Sequence, residues 1–157
     1  MQNQNISSTS SQSQPAQQIE NGALLMRLTL GVVFLAHSLY LKMVVFTLPG
    51  TVQFFASIGL PPSMAYIVFG MEVVGGVALI LGVYTRYVAL ALIPIALGAF
   101  WVHMGNGWEF SNEGGGWEYP LFLAVALVVQ FFIGDGRYAL RRSPSLFGER
   151  APELQAQ

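Results

Sequence analysis

Apolar residues in this chain run in four long blocks, 23–46, 64–83, 86–104 and 119–134, separated by short polar or glycine-rich connections. A helix that crosses a bilayer needs about 20 consecutive apolar residues, and the first three blocks reach that length. The fourth is shorter, which calls for little tilt or for extension at one end. The pattern predicts an all-α fold: an integral membrane four-helix bundle over residues 23–140, with a polar tail over 1–22 before it and a C-terminal tail over 141–157 after it. Residues 1–20 are rich in Gln, Ser and Asn and contain no Lys or Arg. They lack both the positive start and the apolar core of a secretory signal, so they read as a retained, disordered tail.

The connections carry their own pattern. In 47–63, Leu48, Pro49 and Gly50 form a turn and Thr51 offers an N-cap, while Val52, Phe54, Phe55 and Ile58 lie on one face of a short helix. Gly59 ends that helix and Pro61 with Pro62 opens the next. Such a helix would rest at the membrane interface, over one mouth of the bundle. The connection 105–118 holds Trp108, Trp117, Glu109, Glu113, Glu118 and the run Gly114, Gly115, Gly116. Tryptophan suits the headgroup region.

Composition supports lipid as the solvent. Of 157 residues 54% are hydrophobic and 10% charged, with a mean hydropathy of +0.54, whereas soluble domains carry about 25% charged residues. A formal net charge of -1 gives no argument for nucleic acid. The chain has no cysteine, which excludes disulfides, thiolate-held clusters and any redox thiol of its own. Arg86 lies in the second connection and Arg137, Arg141, Arg142 and Arg150 follow the fourth block, while 47–63 and 105–118 hold no Lys or Arg. The positive-inside rule then predicts a multi-pass membrane protein with both termini and the turn at Arg86 cytoplasmic. The connections 47–63 and 105–118 would face outward.

Within this apolar framework the ionisable residues stand out. Glu72 sits near the middle of 64–83, with Gly75 and Gly76 beside it. A carboxylate in lipid must face protein and find a partner, and glycines let a neighbouring helix approach closely enough to supply one. Counting about 1.5 Å per residue, His37 lies at a similar depth, in the outer half of the membrane, so His37 is the expected partner and the two are the candidate catalytic pair. Lys42 lies nearer the outer surface, with a side chain long enough to snorkel to headgroups or to bend inward to Glu72 or to the acidic 105–118 connection. On an ideal helix it projects about 140° away from His37, and it shares a face with Arg27, Gly31, Phe34 and Ser38. Arg27, Lys42, His103, Trp117 and Glu118 are candidates for binding a substrate in an outward-facing polar cup that the 105–118 connection covers. His37 and His103 differ in depth by about 10 Å, which argues against one bis-histidine haem, and no metal-ligand spacing is present. Each residue also has a plain structural reading: Glu72 tying helices together, His103 solvated, the tryptophans anchoring, Gln130 bonding between helices.

Taken in order, the segments RLTLGVVFLAHSLYLKMVVFTLPGTVQFFASIGLP, FGMEVVGGVALILGVYTR, FSNEGGGWEYPLFL and GDGRYAL resemble the DoxX family of small four-span bacterial inner-membrane proteins, over roughly 24–140. The resemblance implies a four-helix membrane bundle. It also implies an accessory role in redox metabolism, since some relatives accompany thiosulfate:quinone oxidoreductases and others join complexes that manage thiol or oxidative stress. The matching polar positions are Arg27, His37, Lys42, Glu72 and 113–119. Relatives often carry the lysine four residues after the histidine; here Lys42 follows by five, which turns it off the face of His37. The leading expectation is a subunit that receives a quinone at the cup beside an oxidoreductase partner. A small-solute or proton-linked carrier and a non-catalytic scaffold or assembly factor are the alternatives, and a homo-oligomer is compatible with each.

Overall fold

The computed structural model describes residues 8–145. Among them every regular element is a helix, with one isolated β-bridge between Val83 and Arg141. Helix α1 (Ser8–Leu35) runs without a break into a π-helical segment, Ala36–Val45. Helix α2 (Leu48–Ser57) follows, then α3 (Pro62–Leu81), α4 (Thr85–His103) with a short 3₁₀ turn at Met104–Asn106, and α5 (Glu118–Ile133). Gln14–Val45, Pro62–Leu81 and Thr85–Asn106 are long and apolar enough to cross a membrane, and α5 is a shorter apolar helix. Their outward faces are apolar: Leu25, Val32, Val74, Phe122 and Phe132 are all exposed. This is an all-α membrane bundle.

The bundle has two ends. The loop end carries the π-helical segment, α2 and the 104–117 connection. The turn end carries the α3–α4 turn and the chain after α5. Between them lies a core of Leu30 and Phe34 from α1, Leu79 from α3, Ala89, Leu92 and Ala96 from α4, and Leu123, Ala124, Ala126 and Leu127 from α5. Lipid tails are as apolar as these side chains, so close packing rather than escape from water holds such helices together. Helices α1 and α3 approach each other closely. A Cβ on Gly31 would stand 2.8 Å from the Gly76 carbonyl oxygen, and one on Gly76 would stand 3.0 Å from that of Gly31. Gly75, by contrast, receives Leu92 of α4, so the two adjacent glycines serve different neighbours.

Helix α2 forms where the pattern placed it, but its N-cap is Thr47, whose Oγ1 accepts from the Gly50 N–H at 3.2 Å. Thr51 lies one turn further on, buried, with its hydroxyl directed at the Thr47 and Lys42 carbonyls at 2.9 and 3.3 Å. The polar stretch expected to be a disordered tail is helical from Ser8 onward. Its last turn is docked: Glu20 accepts from the Arg137 N–H at 3.2 Å, and Asn21 from the Arg137 side chain at 3.3 Å. Residues 1–7 and 146–157 of the two predicted tails lie outside the described residues.

The turn end is closed by groups that match the helix dipoles. Arg27, 1% exposed, donates to the carbonyls of Leu79 (2.9 Å), Ile80 (2.6 Å) and Arg137 (2.9 Å). Arg86 donates to those of Phe131 (2.8 Å) and Phe132 (3.0 Å). Two cations thus sit at the carboxyl ends of α3 and α5, where the dipole is negative. Asp135 sits at the positive end of α4, accepting from the Thr85 N–H at 3.0 Å and from the Ser143 N–H and hydroxyl at 2.9 Å each. Residues 137–143 pass beneath the α3–α4 turn as a strap, bonded by Leu140 N–H to the Leu81 carbonyl, Arg141 N–H to that of Gly82, and Tyr84 N–H to that of Arg141. Arg27→Leu would remove the side-chain donor from two carbonyls at the end of α3 and from one in the strap. It is expected to cost at least about 3 kcal/mol, read as a lowered unfolding midpoint in detergent.

Candidate functional site

The site at the loop end is built on Glu72, which is 4% exposed. Its partner is Lys42. The ammonium donates to Oε1 at 2.8 Å and to Oε2 at 2.6 Å, an ion pair whose side chains retain 17% (Lys42) and 6% (Glu72) of their exposure. An isolated charge in such surroundings would be very costly, and pairing with good hydrogen-bond geometry is what makes it tolerable. Lys42 is the sole lysine of the chain.

The expected direct bond between His37 and Glu72 is absent. Nδ1 of His37 lies 2.9 Å from the Val33 carbonyl, one turn back on its own helix. A carbonyl only accepts, so Nδ1 is the donor in this contact. The ring stacks against Tyr119 of α5, with centroids 5.8 Å apart and planes at 14°.

The π-helical segment explains how His37 and Lys42 both serve this place. On an α-helix a five-residue spacing puts them about 140° apart. In a π-helix the hydrogen bonds run between i and i+5, so residues five apart stand one turn above each other. The segment spans Ala36–Val45 and closes with the Phe46 N–H donating to the Leu41 carbonyl at 2.8 Å. The extra residue between histidine and lysine is therefore absorbed by the wider turn. Thr51 holds the segment from outside through its contact with the Lys42 carbonyl, and buried Ser38 bonds back to the Phe34 carbonyl at 2.8 Å. π-Helical turns occur frequently at functional sites.

The other candidates are distributed differently. His103 ends α4 beneath the glycine loop, its ring 3.8 Å from where a Cβ of Gly115 would be, and its Nδ1 is buried without a partner. Among the described residues no hydrogen bond or ion pair joins it to Glu72, Lys42 or His37. Trp117 packs edge-on against Phe100 (5.6 Å) and Trp108 (4.5 Å), and so anchors the loop. Glu118 starts α5, where a carboxylate favours the helix dipole, and its N–H donates to the Trp108 carbonyl at 3.1 Å. Arg27 belongs to the turn end, committed to the carbonyls already described. The loop is laced by Asn106 to the Gly114 and Gly115 carbonyls (3.1 and 2.9 Å) and by Asn112 to that of Asn106 (2.8 Å). Gly116 lies so close to the Glu109 carbonyl that a side chain has no room. Among the described residues no three His, Asp or Glu side chains converge to hold a metal ion.

A model of the DoxX family matches residues 22–105, from the docked turn of α1 to the 3₁₀ turn after α4. That is more than half of the chain and includes Arg27, His37, Lys42, Glu72 and His103. The chain belongs to the DoxX family. A Bacillus subtilis (strain 168) protein named "Putative oxidoreductase CatD" is 40% identical over 80 residues, which are 51% of this DoxX chain and 58% of the relative. The chain thus spans somewhat over half the length of that relative. No solved structure matches it.

Proposed function

We propose that this DoxX chain is an accessory subunit of membrane redox metabolism, receiving a quinone or a similar planar molecule at the loop end beside an oxidoreductase partner. The observation that carries this reading is the Lys42–Glu72 ion pair, nearly excluded from water within apolar segments and flanked by the stacked rings of His37 and Tyr119. Structural packing alone would be served as well by apolar side chains. The oxidoreductase name of the relative is in keeping with it.

The chemistry asked of the residues is modest. Reduction of a quinone to a quinol takes two electrons and two protons, and the cysteine-free chain holds no redox side chain for the electrons, which come from the partner. Lys42 offers a positive charge and N–H donors to an oxygen gaining negative charge. Glu72, the Nε2 of His37 and the Tyr119 hydroxyl are the groups able to hold or pass a proton.

Placement follows the charges. Arg86, Arg137, Arg141 and Arg142 gather at the turn end, while the loop end from 47 to 63 and from 105 to 118 holds neither Lys nor Arg. We place the turn end in the cytoplasm of a bacterial cell, with α5 as a fourth span of about 24 Å and both termini inside. The test is co-purification in mild detergent, identification of bound quinones and proteins, and turnover of the recovered complex with Glu72→Gln. Quinone-linked turnover is expected to fall by about a hundredfold with the complex still assembled. Full turnover in the variant would refute the assignment.

A further inference from the structure

We propose that the strap 137–142 is a binding site for anionic phospholipid headgroups, which seats the turn end of the bundle in its leaflet. The inference is independent of the redox reading. Its first support is an exposure pattern at odds with a water-facing tail: Tyr138 is 75% exposed and Leu140 71% exposed, beyond the end of the spanning helices. They alternate with Arg137 and Arg141, and Arg142 follows. An aromatic and a leucine among arginines at a helix end suit the boundary between acyl chains and headgroups.

The second support is rigidity. Three backbone hydrogen bonds fix the strap under the α3–α4 turn, and a fourth, from the Arg137 N–H to the Glu20 carbonyl, fixes its start. Tyr138 has a positive φ of 56°, an unusual backbone for a bulky residue. The backbone of such a frame loses little freedom on binding.

The third is charge. Arg141 lies over the Tyr84 ring at 5.1 Å and Arg137 over that of Tyr138 at 5.2 Å, contacts that leave the guanidinium edges able to donate to a phosphate. Arg142 meets Glu20 at 3.6 Å, with both side chains well exposed at 64% and 44%, a weak pair that a headgroup can displace. The remaining charges nearby are engaged: Asp135 bonds Thr85 and Ser143, and Arg86 caps α5. Three arginines therefore face the strap's surroundings against one exposed carboxylate, which favours an anion, and Tyr138 with Leu140 makes that anion a lipid rather than free phosphate.

Delipidated, detergent-solubilised protein would be titrated with phosphatidylglycerol, with phosphatidylcholine of the same acyl chains, and with inorganic phosphate, counting adducts by native mass spectrometry. Phosphatidylglycerol adducts are expected to dominate. Each arginine near an anionic surface adds about fivefold to binding, so R141Q/R142Q should weaken them roughly tenfold to thirtyfold. R141K/R142K should restore most of that, and the phosphatidylcholine adduct should not change. Tyr138→Ser should weaken both lipids. Equal retention of the two lipids, undiminished phosphatidylglycerol binding in R141Q/R142Q, equivalent binding of inorganic phosphate, or a co-purified protein covering Tyr138 would overturn the assignment.

Discussion

Lys42→Met is expected to destabilise the bundle by about 3–5 kcal/mol, because it leaves the Glu72 carboxylate buried without a partner. Glu72→Met should cost a similar amount through the stranded ammonium, reduced by whatever relief Lys42 finds toward the headgroups. The double variant Lys42→Met/Glu72→Met should recover most of the loss, since an apolar replacement of a whole buried pair is often neutral. Reversible unfolding in a detergent mixture reads all three. Small, additive losses in the single variants would mean that the two charges are not coupled. The same double variant separates stability from chemistry: it should fold and fail in quinone-linked turnover.

The second large effect concerns the α1–α3 contact on which the ion pair depends. A Cβ at position 31 would stand 2.6 Å from Ile80 Cγ1 and 2.8 Å from the Gly76 oxygen. The second of these is backbone and cannot rotate away. Gly31→Val therefore pushes the helices apart, with an overpacking cost of about 1–3 kcal/mol, and the separation also lengthens the 2.6 Å contact between Lys42 and Glu72. The combined loss should exceed the packing cost alone. Gly98→Val on α4, where a Cβ meets nothing within 4 Å, should stay close to the parent. If both valines are equally mild, glycine packing does not set the helix spacing.

Much of this architecture was legible from the apolar blocks, because a membrane solvent imposes long, uninterrupted helices and makes every charge within them conspicuous. Glu72 was legible as the organising acid for that reason, and Gly75 with Gly76 as a place of close approach, but read as one side where the structure turns Gly76 to α1 and Gly75 to Leu92 of α4. The sequence offered both His37 and Lys42 as its partner, and His37 ranked first. Depth counting placed His37 level with Glu72, but side-chain direction was reckoned at the α-helical turn, and Ala36–Val45 is π-helical. The five-residue interval from His37 to Lys42 was itself the signal, readable only if an inserted residue is allowed to widen a turn rather than rotate a face.

Arg27 was hidden differently. Its acceptors lie at Leu79, Ile80 and Arg137, up to 110 positions away, and no periodicity within α1 announces a strap returning beneath the α3–α4 turn. Tyr119 was invisible as a partner because its ring contact depends on how α5 sits against the π-helical segment. Thr51 was read as a cap because the sequence offers two threonines and the apolar pattern does not say which of Thr47 and Thr51 begins the turn.

One measurement bears most directly on the central claim. With a single lysine in the chain, lysine labelled with ¹⁵N at Nζ reports Lys42 alone, and glutamate labelled with ¹³C at the carboxyl supplies its partner. Magic-angle-spinning dipolar recoupling in lipid bilayers should show the lysine signal strongly dephased by a carboxyl carbon in direct contact, with the effect abolished in Glu72→Gln. A lysine signal that is not dephased, or whose dephasing survives Glu72→Gln, would contradict an ion pair at the heart of this bundle.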